Sequence, residues 1–180
     1  VTTHDIRIIG DPVLTQRASD VTKVDGRFVK LVDEMFDTMY DATGAGLAAP
    51  QVGLQQRFFV YDWDDNPGVI INPVIVESRG EVEITEGCLS VPGLRWEIVR
   101  PAEILVNGYD LDGHELVLEL DDYGARVFQH ELDHLDGVLL VEHLTDEQRA
   151  EAKKALRELR QRGVTHLPEP DVAVGSLRLR

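Results

Sequence analysis

Apolar side chains between residues 26 and 40 recur at spacings of three and four, whereas between 57 and 120 the spacing falls toward two. Phe28, Val32, Met35, Phe36 and Met39 form one stripe, which predicts an amphipathic helix over 26–40 turned toward a core. The alternating region predicts strands at 57–61, 69–71, 74–76, 81–84, 104–106 and 116–118. Residues 62–68 are turn-rich, and Asp110-Leu111-Asp112-Gly113 marks a hairpin-like connection. Residues 86–93 hold two glycines and a proline and predict an irregular loop. A second helix is expected to start near Asp121 or Asp122, either able to cap it, and to end close to Gly137. Thr145 followed by Gln148 is a capping-box pattern that opens a third helix, running to about Arg162 and stopped by Gly163.

These elements predict an α+β fold in which small antiparallel or mixed sheets surround the second helix, with one helix before it and one after. One domain over 1–163 is expected, and residues 164–180, with two prolines and few large apolar groups, are expected to be a loosely held tail. At 180 residues the chain is long enough to bury a real core, and 43% hydrophobic with 28% charged residues is ordinary for a globular protein. No apolar run approaches the roughly 18 residues that a membrane span needs. The N-terminal stretch lacks a basic segment followed by an apolar one, so no secretory signal is expected. A single cysteine, Cys88, cannot form an intramolecular disulfide, which suits a reducing cytoplasm and leaves the thiol free for chemistry.

The formal net charge of -15 argues against stable nucleic-acid binding by the body of the protein. The charge is uneven, however. Residues 145–180 hold eight of the 18 Lys+Arg and six of the 33 Asp+Glu, so that stretch is +2 and the remainder -17.

Chemistry concentrates in His130-Glu131-Leu132-Asp133-His134. On a helix, positions four apart sit one above the other with Cβ atoms about 5–6 Å apart, so both imidazoles can reach one divalent ion. Glu131 is turned by about 100° from His130 and projects beside such an ion, where it can move protons. A third ligand is needed. The position that would supply a histidine in the extended metzincin pattern is Leu140; Glu151 or Glu158 would serve a thermolysin-like site, and Cys88 is a further candidate. His4, His114, His143 and His166 carry no supporting motif.

Three stretches in order, Gly44-Ala45-Gly46-Leu47-Ala48-Ala49-Pro50-Gln51, Glu86-Gly87-Cys88-Leu89-Ser90 and Gln129 to Gly137, resemble the three signature motifs of the peptide deformylase family. Arg95 and Arg100 after the second motif fit that pattern, and the resemblance runs from Ile6 to about Leu144. It implies an enzyme that removes the formyl group from N-formylmethionine at the start of nascent peptides. It implies a metal held by Cys88, His130 and His134, most often iron(II), with nickel, cobalt or zinc able to substitute, and a metal-bound hydroxide as nucleophile. Glu131 is the implied general base and acid, and the Gln51 side chain and Leu89 backbone N–H the implied oxyanion donors. Gly44, Gly46, Ile84, Gly87, Arg95 and Val127, with His130, are the implied peptide and methionine contacts. Because such enzymes meet chains leaving the ribosome, the basic third helix is expected to contribute to transient ribosome docking. Three positions depart from the family pattern: Gly124 where a bulky apolar residue is usual, His143 where arginine is usual, and Ala45 where a β-branched residue is frequent.

Overall fold

A computed structural model describes residues 2–163. In chain order it contains α1 (Gly26–Asp41), β1 (Gly46–Ala48), β2 (Phe58–Trp63), β3 (Asn66–Arg79), β4 (Val82–Cys88), β5 (Val91–Arg100), β6 (Glu103–Tyr109), β7 (Glu115–Leu120), α2 (Asp122–Leu135) and α3 (Asp146–Gln161), with short 3-10 turns between them. Five strands form one sheet in the order β1-β2-β3-β6-β7, while β4 and β5 pair as a separate hairpin. All the strand pairings are antiparallel, as in an α+β fold. The proposed tail at 164–180 lies outside the described residues.

Strand β2 explains how the layers assemble. Successive side chains of a strand point to opposite faces. Phe58 and Val60 enter a core with Phe28, Val32, Met35 and Met39 of α1, whereas Phe59 and Tyr61 enter a second core with Val127, Phe128 and Leu132 of α2. The sheet is therefore clamped between the two helices, and Phe58-Phe59-Val60-Tyr61 is apolar throughout because both its faces are buried. Phe128 sits at the aromatic centre, with ring centroids 4.9 Å from Phe59, 4.8 Å from Tyr61 and 5.4 Å from Trp63. Truncating such a ring to alanine typically costs about 3–5 kcal/mol.

Three local expectations change. Residues 86–93 are not an irregular loop: β4 extends to Cys88 and β5 begins at Val91, so only Leu89 and Ser90 turn. The ladder jumps from Gly87↔Arg95 to Cys88↔Val91, which leaves residues 92–94 bulged out of the pairing. Pro92 thus has no ladder hydrogen bond to lose, and the breaker residues are accommodated within a strand. Residues 62–68 are likewise mostly strand. The turn is only Asp64 and Asp65, both at positive φ (56° and 55°), and pairing resumes at Trp63↔Asn66. Two left-handed residues match the twist of a two-residue hairpin. Lastly, Asp121 occupies the N-cap of α2 without a side-chain capping bond, and Asp122 begins the helix at φ 42°.

The remaining helix ends follow the expected chemistry. The Asp25 side chain accepts from Arg27 N–H and Phe28 N–H to open α1. Thr145 and Gln148 form the capping box of α3, and Gln148 also donates to the Glu97 carbonyl of β5 at 3.0 Å. Gly137 closes α2 at φ 74°; a Cβ there would lie 2.8 Å from the backbone of Thr15 and Gln16. Glycine is thus required for both its conformation and its close approach. No helix among the described residues is long and apolar enough to cross a membrane.

Candidate active site

Helix α2 buries one face against the sheet and presents His130 and His134 toward the β4–β5 hairpin, while the Glu131 side chain lies against Gly46 of β1 at the sheet edge. The facing strand contributes on alternate positions. Glu86 and Cys88 lie two residues apart, so both point at the helix. Cys88 Sγ is 3.2 Å from His134 Nε2, and His134 Nε2 is 3.3 Å from His130 Nε2. One donor atom from each of these three residues lies within 4.8 Å of the other two. Ligands at tetrahedral angles around one ion are separated by about 3.3–3.6 Å, given metal–N and metal–S lengths near 2.0–2.3 Å. The triangle therefore has the size of one coordination face. Thiolate with two imidazoles suits iron, cobalt, nickel or zinc and is the wrong set for calcium or magnesium. Glu151 and Glu158 are exposed on α3 and take no part, which removes the thermolysin-like alternative.

Protonation favours the same arrangement. Burial alone would raise the Cys88 thiol, but the facing His134 and His130 hold it well below its ordinary value. A thiolate held this way is the form of cysteine that ligates a cation. His130 Nδ1 is 3.1 Å from Glu86 Oε2, so Nδ1–H donates outward and the Nε2 lone pair faces the ligand triangle. Glu86 is itself gripped by Arg100 through two bonds, of 2.5 and 2.9 Å. Burial would raise Glu86, but the hydrogen bonds and charges of His130 and Arg100 lower it to about 2.

Glu131 is 4% exposed, and its Oε2 has no hydrogen-bond partner among the described residues. Desolvation is the main reason its carboxyl is raised to about 7, opposed by the neighbouring His130 and His134. Gln51, in the 3-10 turn after β1, is 1% exposed. Its Oε1 accepts from Ala48 N–H at 2.9 Å and its Nε2 donates to Ser90 Oγ at 3.2 Å, which uses one of two amide protons. The N-terminal segment straps these parts together: Arg7 N–H donates to the Gln51 carbonyl and Ile9 N–H to the Ser90 carbonyl.

Around these groups lies a cleft open to solvent. Gly44, Gly46, Gln51, Gly87, Cys88, Leu89, Arg95, Val127, His130 and Glu131 all line it. Ile84 does not; it packs instead on the hydrophobic cluster of Cys88, Val91 and Ile98. Tyr123 and Arg126, which belong to none of the three motifs, do line it, and the Arg126 guanidinium lies 4.6 Å from the Tyr123 ring centre. Their signal was available, since Tyr123, Val127 and His130 fall on one α-helical face. The space left at Gly124 is taken by the Trp63 indole, 3.3 Å from where a Cβ would stand. Glu86 was also missed as a functional group, despite its place two residues before the cysteine.

A helix offering two imidazoles and a carboxylate to a thiolate strand belongs to the metal-dependent hydrolases. A family model described as polypeptide deformylase matches residues 3–150. The chain is 46% identical over 157 residues to the peptide deformylase of Thermotoga maritima, covering 87% of this chain and 96% of the relative. Its fold is similar to a peptide deformylase from Legionella pneumophila, with a TM-score of 0.85, 38% identity and coverage of 90% and 98%. It is also similar to the Ehrlichia chaffeensis peptide deformylase in complex with actinonin, with a TM-score of 0.83, 37% identity and coverage of 88% and 98%. The chain belongs to the polypeptide deformylase family.

Proposed function

We propose that this protein hydrolyses the formyl amide of N-formylmethionine at the start of nascent peptides, releasing formate and a free amine. The observation that carries this reading is the buried, unpartnered carboxylate of Glu131 beside the Cys88–His130–His134 triangle. Those three residues would hold the ion, with iron(II) as the proposed occupant and nickel, cobalt or zinc as substitutes sharing the donor preferences. When bound, the ion supplies Lewis acidity to water and to the formyl oxygen.

The chain's own groups do the rest. Glu131 takes a proton from the attacking water and delivers it to the departing nitrogen as the C–N bond breaks; a carboxyl raised to about 7 can serve as base and then acid near neutral pH. The free Gln51 amide proton and the Leu89 backbone N–H donate to the oxygen on which negative charge develops. Gln51 is already locked by Ala48 and Ser90, so little reorganisation accompanies the reaction. Gly44 and Gly46 at the sheet edge, with Gly87 opposite, offer main chain to an extended peptide, a mode that recognises backbone over sequence. Val127 and His130 wall the methionine side chain, and Arg95 meets the peptide in the same cleft.

On this reading residues 1–163 form one catalytic domain, and the protein acts in the cytoplasm, where its substrate is made. Exposed Arg149, Lys153, Lys154, Arg157 and Arg160 on α3 support transient docking to ribosomal RNA by an otherwise acidic body. The test is formate release from a formyl-Met peptide by anaerobically prepared, iron-loaded protein. Glu131→Gln should keep the metal yet lose about 10²–10⁴ of the rate. Absence of formate release from wild-type protein with a filled site would overturn the proposal.

A further inference from the structure

We propose that His143 is a positioning residue for His130, acting through Asp133, Arg100 and Glu86; the inference rests on His130 being a metal ligand. Four elements converge on this relay. His143 closes the 3-10 turn Leu140–His143 after α2, Asp133 lies on α2, Arg100 ends β5 and Glu86 stands in β4. His143 Nε2 is 2.7 Å from Asp133 Oδ2, and that oxygen also accepts from an Arg100 terminal nitrogen at 2.9 Å. Arg100 then forks onto both oxygens of Glu86, and Glu86 Oε2 meets His130 Nδ1 at 3.1 Å.

Donors and acceptors alternate along the whole path: imidazole, carboxylate, guanidinium, carboxylate, imidazole. Burial grades along it too. The Glu86 and Arg100 side chains are 4% and 5% exposed, but Asp133 and His143 are 24% and 30% exposed. The inner pair is thus fixed by desolvation and bidentate geometry. Asp133 has water as an alternative partner, and His143 is the group that holds its carboxylate against Arg100. A group bonded to a ligating imidazole sets the ring's orientation, and altering it typically costs about 10–100-fold in metal affinity. His143 is further out, so a smaller effect is expected.

The test uses cobalt(II), whose visible absorption reports coordination geometry, on the full-length protein. Wild type should take one ion per chain. His143→Ala should bind about 3–10-fold more weakly, with a shifted absorption band and an unchanged melting temperature without metal. His143→Arg, which restores a donor to Asp133, should recover both affinity and band. Wild-type affinity and spectrum in His143→Ala, or equal impairment of the alanine and arginine variants, would overturn the inference. Failure of the wild type to bind one cobalt would overturn the ligand assignment, and this inference with it.

Discussion

Replacing Gly46 by alanine adds one methyl group at the point where the sheet edge passes over the proposed general base. A Cβ at this position would lie 2.6 Å from Glu131 Oε1, 2.8 Å from its Cγ and 2.9 Å from its Cδ. Ordinary van der Waals contact begins near 3.4 Å, so the carboxylate must retreat by about 0.8 Å. The metal-ligand residues are not the ones displaced, and Gly46 is not at positive φ, so backbone strain adds nothing. A misplacement of about 1 Å near reacting atoms can cost about 10²-fold. Gly46→Ala is therefore expected to lower kcat about 30–100-fold, with KM and metal content close to wild type and a stability cost of about 1–3 kcal/mol from overpacking. Formate release under saturating formyl-Met peptide, with metal analysis and thermal melting on the same samples, measures all three. A kcat within about threefold of wild type in the metal-loaded variant would refute the reasoning. A raised KM with intact kcat would show instead that Gly46 serves peptide binding alone.

Further outcomes follow from the same contacts. Cys88→Ala should lose most of its bound metal while remaining folded, because a two-imidazole remnant lacks the charged donor; retention of a full equivalent by metal analysis would exclude Cys88 as a ligand. Glu86, lowered from 4.5 to about 2, contributes stability that is complete above its ordinary value and is lost as pH falls toward 2. In metal-free protein this amounts to about 3 kcal/mol, so the gap between wild type and Glu86→Gln in urea unfolding should shrink as pH falls from 6 to 3. A constant gap would show that Glu86 is not charged in the folded state. Ala152 of α3 packs in the core cluster that contains Cys88, so charge reversal tests docking more cleanly than deletion. Lys153→Glu with Lys154→Glu and Arg157→Glu should weaken ribosome binding in a salt-dependent way and leave free-peptide hydrolysis unchanged; unaltered ribosome affinity would make α3 purely structural.

The amino-acid sequence alone determined the features that arise from neighbours in the chain. Spacing of four placed His130 and His134 on one face of α2, spacing of three and four gave the α1 stripe, and Thr145 with Gln148 marked the start of α3. The three motifs also named the cysteine, the glutamine and the family, since short patterns in order are legible without a fold. Tertiary structure decided what depends on distant partners. Residues 86–93 look irregular by composition, yet they are strand and turn because β5 supplies a ladder for β4 and bulges out its proline. Glu86, Arg100, Asp133 and His143 lie up to 57 positions apart in the chain and form one relay only after four elements pack together. The raised Glu131 carboxyl and the lowered Cys88 thiol are likewise absent from any local pattern. Desolvation and close opposite charges come into being only when α2 closes on the β4–β5 hairpin, and these make a helical motif into a reactive site.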